Sequence, residues 1–483
     1  MNKKRKPFIV FYFLLLTFLL VRPGKVLQAA ATGSLEEAVA WGLAHSPAVL
    51  TMEEEIAQIH RQLAKIETNL YWQIGFGAGL TIGSGGSTTE RGQGAVTIPE
   101  GGLPTRDVST EGTLTAQLTG QKLFRSGLSL EPKLSLKKDL NKDDDPELGF
   151  TFSVNQQLYP WVPSAAEQEY YKTLNALKKA EANLTWRVTG LKIDWLEGYL
   201  KLLRLWERLE VAEAKHTLAA EELALTCRRQ EIGEASAGQV LAAQINLKQA
   251  EYERRQADNN FEAAKREWLL ALGLPATYQI KLEEDNDYYR KLREEVENLP
   301  VTTEDPALLF TKLEATHYQL AAKKIDREQL EQVWTWNQAS YLPKVTTGGT
   351  YDGTNKKWSL DLNLSYRLLD GGAERLAREE HEAQLATAER ELQNLRANLE
   401  MELYTRLNAQ ELAELKLEET GLALEKAQLE RELYRQQWEA GFLSEKDWTQ
   451  KELEWKSAEI GYKTAEDQVF LNKLRVLQLI GMI

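Results

Sequence analysis

SAAEQEYYKTLNALKKAEANLTWRVTGLKIDWLEGYLKLLRLWERLEVAEAKHTLAAEELALTCRRQEI, residues 164–232, is a run of 69 residues with no proline and two glycines, Gly190 and Gly198. Leu174, Val188, Trp195, Leu202 and Leu209 form one apolar row, and Leu177, Leu184, Leu191 and Leu205 form a second row three residues on. Spacings of three, four and seven mark a helix packed along its length against other helices. At about 1.5 Å per residue the run makes a rod of roughly 100 Å. That is several times an ordinary helix and too long for a compact globular domain.

Upstream of the rod the period changes. Ser34-Leu35-Glu36-Glu37 reads as a capping box opening a helical region 34–70, with Pro47 marking a break. From Tyr71 to Ile82, Trp72, Ile74, Phe76, Ala78, Leu80 and Ile82 alternate with Tyr71, Gln73, Gly75, Gly77, Gly79 and Thr81. Bulky apolar residues opposite glycine and polar ones suit a barrel strand with lipid outside and water inside; a strand of a soluble sandwich alternates in the same way. Residues 83–112, rich in Gly, Ser, Thr and Pro, read as a flexible loop. Alternation returns at Leu114–Leu118, at Leu128–Leu136 and, after the hydrophilic turn 141–145, at Leu148–Val154. Tyr159-Pro160-Trp161-Val162-Pro163 closes this β region, 71–160, and leads into the rod.

Downstream, Gly233 can close the rod in the left-handed conformation, and Ser236 with Gln239 forms a second capping box. A returning helix, 237–273, ends at Gly273-Leu274-Pro275. Residues 276–304 are acidic and irregular, a linker with room for one short helix. Asp305-Pro306, a cap followed by a first-turn proline, starts a helix over 305–338. Strands at 345–351 and 358–368, a second long helix 373–440 and a helix 445–480 complete the chain.

The pattern is a duplication. Gly233 and Gly441 stand 208 residues apart, as do Glu231 and Glu439, Ser236 and Ser444, Lys248 and Lys456, Glu251 and Glu459, Leu269 and Leu477, and Gly273 and Gly481. Leu43 and Leu313, Leu50 and Leu320, and Tyr71 and Tyr341 are 270 apart. The sequence therefore divides into a first repeat, 32–275, the linker 276–304 and a second repeat, 305–483. The fold class is mainly α with a β portion, each repeat running helix, strands, long helix, helix.

The 483 residues carry net charge −13, with 43% hydrophobic and 27% charged content, which suits solvated rods with an apolar seam and argues against nucleic-acid binding. Lys3, Lys4, Arg5 and Lys6 precede the apolar run 8–21, and Ala29-Ala30-Ala31 follows. Residues 1–31 read as a signal peptide cut near Ala31, with a short N-terminal anchor as the other reading. No cysteine lies near that cut, so lipidation there is not expected. Cys227 is the only cysteine, which rules out an internal disulfide. No later apolar run approaches a helical membrane span, so a membrane crossing requires the strands. Four to six strands per chain cannot close a barrel, and lipid does not tolerate open edges, so strands in a membrane require oligomers. The five histidines (His45, His60, His216, His317 and His381) lack metal-ligand spacing. Gly75, Gly77 and Gly79 lie inside a strand and make no nucleotide loop. No catalytic constellation, cofactor site or metal site is legible, so an enzyme is not expected.

Leu35-Glu36-Glu37-Ala38, Ser46-Pro47, Leu272-Gly273-Leu274-Pro275, Leu369-Asp370-Gly371-Gly372 and Tyr434…Glu439-Ala440-Gly441, in that order within a duplicated chain, resemble the TolC family of outer-membrane efflux channels. The resemblance covers nearly the whole mature chain. It implies a homotrimer whose β-barrel lies in outer-membrane lipid and continues as an α-helical tunnel through the periplasm. It implies docking at the tunnel tip to a periplasmic adaptor (membrane fusion) protein and an inner-membrane transporter, in efflux or type I secretion. The family pattern needs one strand pair per repeat, so the extra hairpin in 114–137 can widen the barrel or stand outside the membrane.

On this reading the docking tip comprises Gly233, Ser236, Gly441 and Ser444. The family closes its periplasmic entrance with polar and acidic side chains just after this turn, where Asp447 and, in the first repeat, Gln239 stand. Asp447 is a gate residue, a partner of the Ser444 helix cap, or both. Tyr71, Trp72, Tyr159, Trp161, Tyr341 and Tyr366, with Trp334 and Trp336, form either an interfacial girdle or the packing where helices meet a sheet. A passive exit duct is the first functional expectation. A structural tether spanning the periplasm without an open pore is the second.

Overall fold

A computed structural model of the chain describes residues 32–84, 110–140, 145–284, 286–297, 299 and 305–483. The signal-peptide reading of 1–31, most of the loop reading of 83–112, the turn at 141–144 and linker residues 285, 298, 300 and 301–304 lie outside the described residues. In chain order come strand β1 (Thr32–Gly33), helices α1 (Leu35–His45) and α2 (Pro47–Thr68), and strands β2 (Gln73–Ser84), β3 (Thr110–Leu123), β4 (Ser129–Asp139) and β5 (Glu147–Tyr159). Then follow α3 (Ala165–Glu231), α4 (Ala237–Leu272), β6 (Gln279–Ile280), α5 (Asp287–Glu297), α6 (Pro306–Thr316) and α7 (Tyr318–Gln338). Strands β7 (Lys344–Asp352) and β8 (Lys357–Ser365) lead to α8 (Ala373–Glu439) and α9 (Glu445–Leu479).

The helix ends are set by local chemistry. Ser34 and Glu37 bond reciprocally, Glu37 N–H to Ser34 Oγ at 3.3 Å and Ser34 N–H to Glu37 Oε2 at 3.1 Å, satisfying amides that have no intrahelical acceptor. Pro47 separates α1 from α2 without strain because a first-turn proline has no amide to satisfy. α3 and α8 are both 67 residues long.

One helix departs from the sequence reading, and the linker holds the single short helix it had room for. The region 305–338 is two helices, broken at His317, whose backbone is extended (φ −67°, ψ 121°) and whose amide donates to Leu313 O. No proline marks this break, which falls 271 residues after Ser46-Pro47, one residue off the 270-residue separation read from the sequence. In the linker, β6 pairs in parallel with β1 (Thr32↔Gln279, Gly33↔Ile280) and α5 follows.

The chain forms two compact units. One comprises the described residues of 32–53, 183–317 and 397–483. Its core is built on the middle of α3, where Trp195, Leu196, Tyr199 and Leu202 are fully buried, together with Leu272, Leu313, Leu474 and Leu477. The two glycines of α3 are points of close approach. A Cβ on Gly190 would sit 2.7 Å from Gln478 Nε2 of α9, and one on Gly198 would sit 2.4 Å from Trp268 Cδ1 of α4. Trp268 donates its indole N–H to Trp195 O at 2.8 Å. Arg204 reaches Asp467 through Nε at 2.8 Å and Glu207 through Nη1 at 3.0 Å. Tyr289 OH donates to Asp467 Oδ1 at 3.4 Å, so a buried ionic cluster joins α3, α5 and α9. Burial, then the Asp467 charge, pushes the Tyr289 hydroxyl up to about 12.

The other unit comprises the described residues of 54–182 and 318–396. It holds a six-stranded antiparallel sheet of order β2-β3-β4-β5-β7-β8. Its helices meet through Lys179 and Asp326 (2.5 Å), Asn175 and Gln329 (3.3 Å), and a stack of Trp334 on His381 at 4.7 Å.

Candidate functional site

The register of the sheet sorts its side chains into two faces. Phe76 pairs with Leu118, Leu118 with Leu134, and Leu134 with Phe150. Phe152 pairs with Tyr351, and Tyr351 with Trp358. Directly opposed residues share a face, so these chains of partners define one apolar surface. The other face runs through Gly77, Gln117, Ser135 and Gly149, and through Ser153, Thr350 and Ser359. The edge strands are the barest: Ile74, Phe76, Trp358, Leu360, Leu362 and Leu364 are 68–78% exposed. Such a surface is far larger than a soluble monomer leaves open. One face suits hydrocarbon, the other suits water, and among the described residues both sheet edges lack partners. This is the pattern of a barrel wall.

The aromatic residues divide. Tyr71, Trp72, Tyr159, Trp161 and Tyr366 are exposed and flank the helix-linked end of the sheet, while Tyr341 is half-buried in the turn before β7. Trp334 and Trp336 instead pack, on His381 and against Tyr171 at 6.2 Å. Tyr366 and Leu368 lie beyond β8, which ends at Ser365 and not at 368. Sequence reading missed Lys122, whose ammonium donates to Leu70 O at 2.6 Å and sits over the Tyr71 and Phe124 rings. Its only signal was a cation at the end of an alternating run.

The two reversals between helices are built alike. At the first, Gly233 has φ +81°, and Glu234 N–H bonds back to Arg229 O at 2.8 Å. At the second, Gly441 has φ +79°, and Phe442 N–H bonds back to Gln437 O at 2.9 Å. Both are left-handed closures that satisfy the last carbonyls of a helix. Ser236 and Ser444 then cap the returning helices. Gln239 completes a reciprocal box, accepting from Ser236 N–H through Oε1 at 2.7 Å. Asp447 differs: its carboxylate accepts the Ser444 hydroxyl at 2.6 Å while its amide donates to Ser444 Oγ at 3.2 Å. The carboxylate is exposed and a negative charge suits the positive end of α9. Ile232 and Phe442, 71% and 85% exposed, stand bare beside the two turns.

Among the described residues no group of His, Cys, Asp and Glu could hold a metal, and no helix is long and apolar enough to cross a membrane. No family model and no curated protein sequence matches the chain. Solved structures do. The Campylobacter jejuni CmeC outer membrane channel aligns at TM-score 0.62 with 12% identity, over 92% of this chain and 85% of that one. The outer membrane protein VceC of Vibrio cholerae aligns at 0.58 with 14% identity, over 92% and 96%. The open state of the Neisseria gonorrhoeae MtrE outer membrane channel aligns at 0.54 with 11% identity, over 92% and 88%. The duplicated helices, the closures at the reversals and the two-faced sheet together give this chain the fold of the TolC-type outer-membrane channels.

Proposed function

We propose that this chain is an outer-membrane exit channel of a tripartite efflux or type I secretion system. The single observation that carries the reading is the sheet with one apolar and one polar face, uncovered and open at both edges. A soluble sandwich would bury that apolar face under a second sheet. Lipid supplies the cover instead, which places the sheet in the outer membrane and the helical portion in the periplasm. Further copies of the chain supply the missing edges, in the trimer that the TolC resemblance implies. The tips at Gly233 and Gly441 meet a periplasmic adaptor, which joins the channel to an inner-membrane pump. The exposed Ile232 and Phe442 support that assignment, since bare apolar side chains at a turn are what a docking partner would cover. The duct itself is passive, and the partner pump provides the energy.

Light scattering of the detergent-solubilised protein is expected to give a three-chain mass, and planar bilayers containing it are expected to conduct. A monomeric mass with the strands intact by circular dichroism would overturn the reading. Trimers that stay electrically silent after the tips are opened by mutation would make the protein a tether rather than a duct.

A further inference from the structure

The first repeat supplies four strands of the sheet and the second repeat two. The surplus is the β3–β4 hairpin, and three observations bear on where it belongs. It lies in the middle of the sheet: among the described residues β2 pairs with β3 alone, across twelve register positions, Gln73↔Gln121 to Ser84↔Thr110, and β4 in turn pairs with β5. Lifting the hairpin out of the membrane would strip β2 of this partner strand. Its faces continue those of its neighbours: Leu114, Leu118, Leu134 and Leu136 fall on the apolar surface, and Thr115, Gln117, Ser135 and Lys137 on the polar one. Its turn is tied to the start of α3. Ser164 N–H donates to Arg125 O at 3.3 Å, Arg125 Nε lies 3.5 Å from Glu167, and Arg125 stacks over Tyr170 at 5.0 Å. One irregularity interrupts the hairpin. Pro132 lacks an amide, the β3–β4 ladder skips Gly120 and Gln121, and a Cβ on Gly120 would meet Pro132 Cγ at 2.8 Å. The ladder resumes on both sides of it.

We infer that the hairpin spans the membrane as part of the wall, so that a three-copy assembly closes eighteen strands, with β8 of one copy joined to β2 of the next. The inference rests on the channel reading. Six strands alternating in direction leave β2 and β8 antiparallel to each other, the orientation such a joint needs. β2 carries neither proline nor charge to guard its edge. Barrel diameter grows roughly linearly with strand number, so eighteen strands make a bore about 1.5-fold wider than twelve, in the range that leaves an aqueous channel. Glu131, Lys133, Lys137 and Asp361 put both signs of charge on its polar face. The permeants this wall suits are bulky hydrophilic solutes of either charge.

Single cysteines test the hairpin against β8, which lies in the wall in either geometry. In a Cys227→Ser background, Leu118→Cys and Thr119→Cys report on the hairpin, and Leu362→Cys and Asn363→Cys on β8. In proteoliposomes a water-soluble maleimide is expected to label Thr119→Cys and Asn363→Cys. Labelling of Leu118→Cys and Leu362→Cys is expected to be lost until the protein is denatured. Single-particle imaging of the wild-type protein in lipid nanodiscs should count eighteen strands. Alternating labelling on β8 with free labelling at both hairpin positions, or a count of twelve, overturns the inference and leaves the channel reading standing. Loss of alternation on β8 itself, with no closed barrel in the images, overturns both.

Discussion

At Gly233 and Gly441 an added Cβ meets no atom within 4 Å, so alanine there costs only the left-handed backbone, about 1–2 kcal/mol per site. The double Gly→Ala variant is expected to keep its trimeric mass by light scattering while binding a periplasmic adaptor more weakly; unchanged affinity would remove these turns from the docking surface. Gly273, at φ +69°, is different, because a Cβ there would lie 2.6 Å from His45 O. Gly273→Ala should therefore lower the melting temperature more than Gly233→Ala does. Asp447 separates two roles that its bond to Ser444 leaves compatible. Three such carboxylates near a three-fold axis would bind a trivalent cation and block conductance from the periplasmic side. Asp447→Asn keeps an amide oxygen to accept the Ser444 hydroxyl, leaves the Ser444 cap in place and should relieve the block. If Asp447→Asn is blocked as strongly as wild type, the residue only partners the Ser444 cap and the gate lies elsewhere.

At the scale of elements, the break between α6 and α7 carries a pH dependence. Burial holds the His317 imidazole below its ordinary value of 6.5, with the charge of Glu402 pulling weakly the other way. The folded state therefore takes up this proton less readily than the unfolded chain. Stability from this residue is complete above about pH 6.5 and falls as the pH drops toward the folded-state value. His317→Gln is expected to flatten that acid limb of the melting curve, and an unaltered slope would assign it to other groups. The cluster joining α3, α5 and α9 makes a second demand. Arg204→Met strands the buried Asp467 carboxylate, which burial already pushes up, and should cost about 3–5 kcal/mol. Adding Asp467→Leu to Arg204→Met should recover much of the loss in chemical denaturation, since an apolar pair leaves no buried charge without a partner.

For the molecule as a whole, the two faces of the sheet make opposite predictions for one substitution. Leu362 and Asn363 are neighbours on β8, the first on the apolar surface and the second on the polar one. Leu362→Arg should destabilise the membrane-inserted protein by about 2–4 kcal/mol, the penalty for a cation facing mid-bilayer lipid, whereas Asn363→Arg should be tolerated. Denaturant unfolding from lipid bilayers reads the difference. Equal effects would mean that the apolar surface does not face lipid.

Much of this architecture is written locally. The heptad of residues 164–232 suffices for α3, the cap residues Ser34, Ser236 and Ser444 for helix starts, and the left-handed glycines at 233 and 441 for the reversals. Period-two alternation suffices for the strands, because each of these depends on residues within a turn or two of one another. What the sequence left open depends on partners far along the chain. Alternation states which residues share a face but not which strand lies beside which, so the place of β3 and β4 between β2 and β5 came only with the pairing of whole strands. The break at His317 has no proline to announce it. Arg204 and Asp467 are 263 residues apart, and no local pattern distinguishes that pair from the many exposed ions on the same helices. No local pattern separates Trp334 and Trp336 from Tyr71 and Trp161; the packing of His381 and Tyr171 against them does. Burial decides such cases, and burial belongs to the fold: a side chain's neighbours are set by how distant segments meet, a quantity that no window of sequence contains.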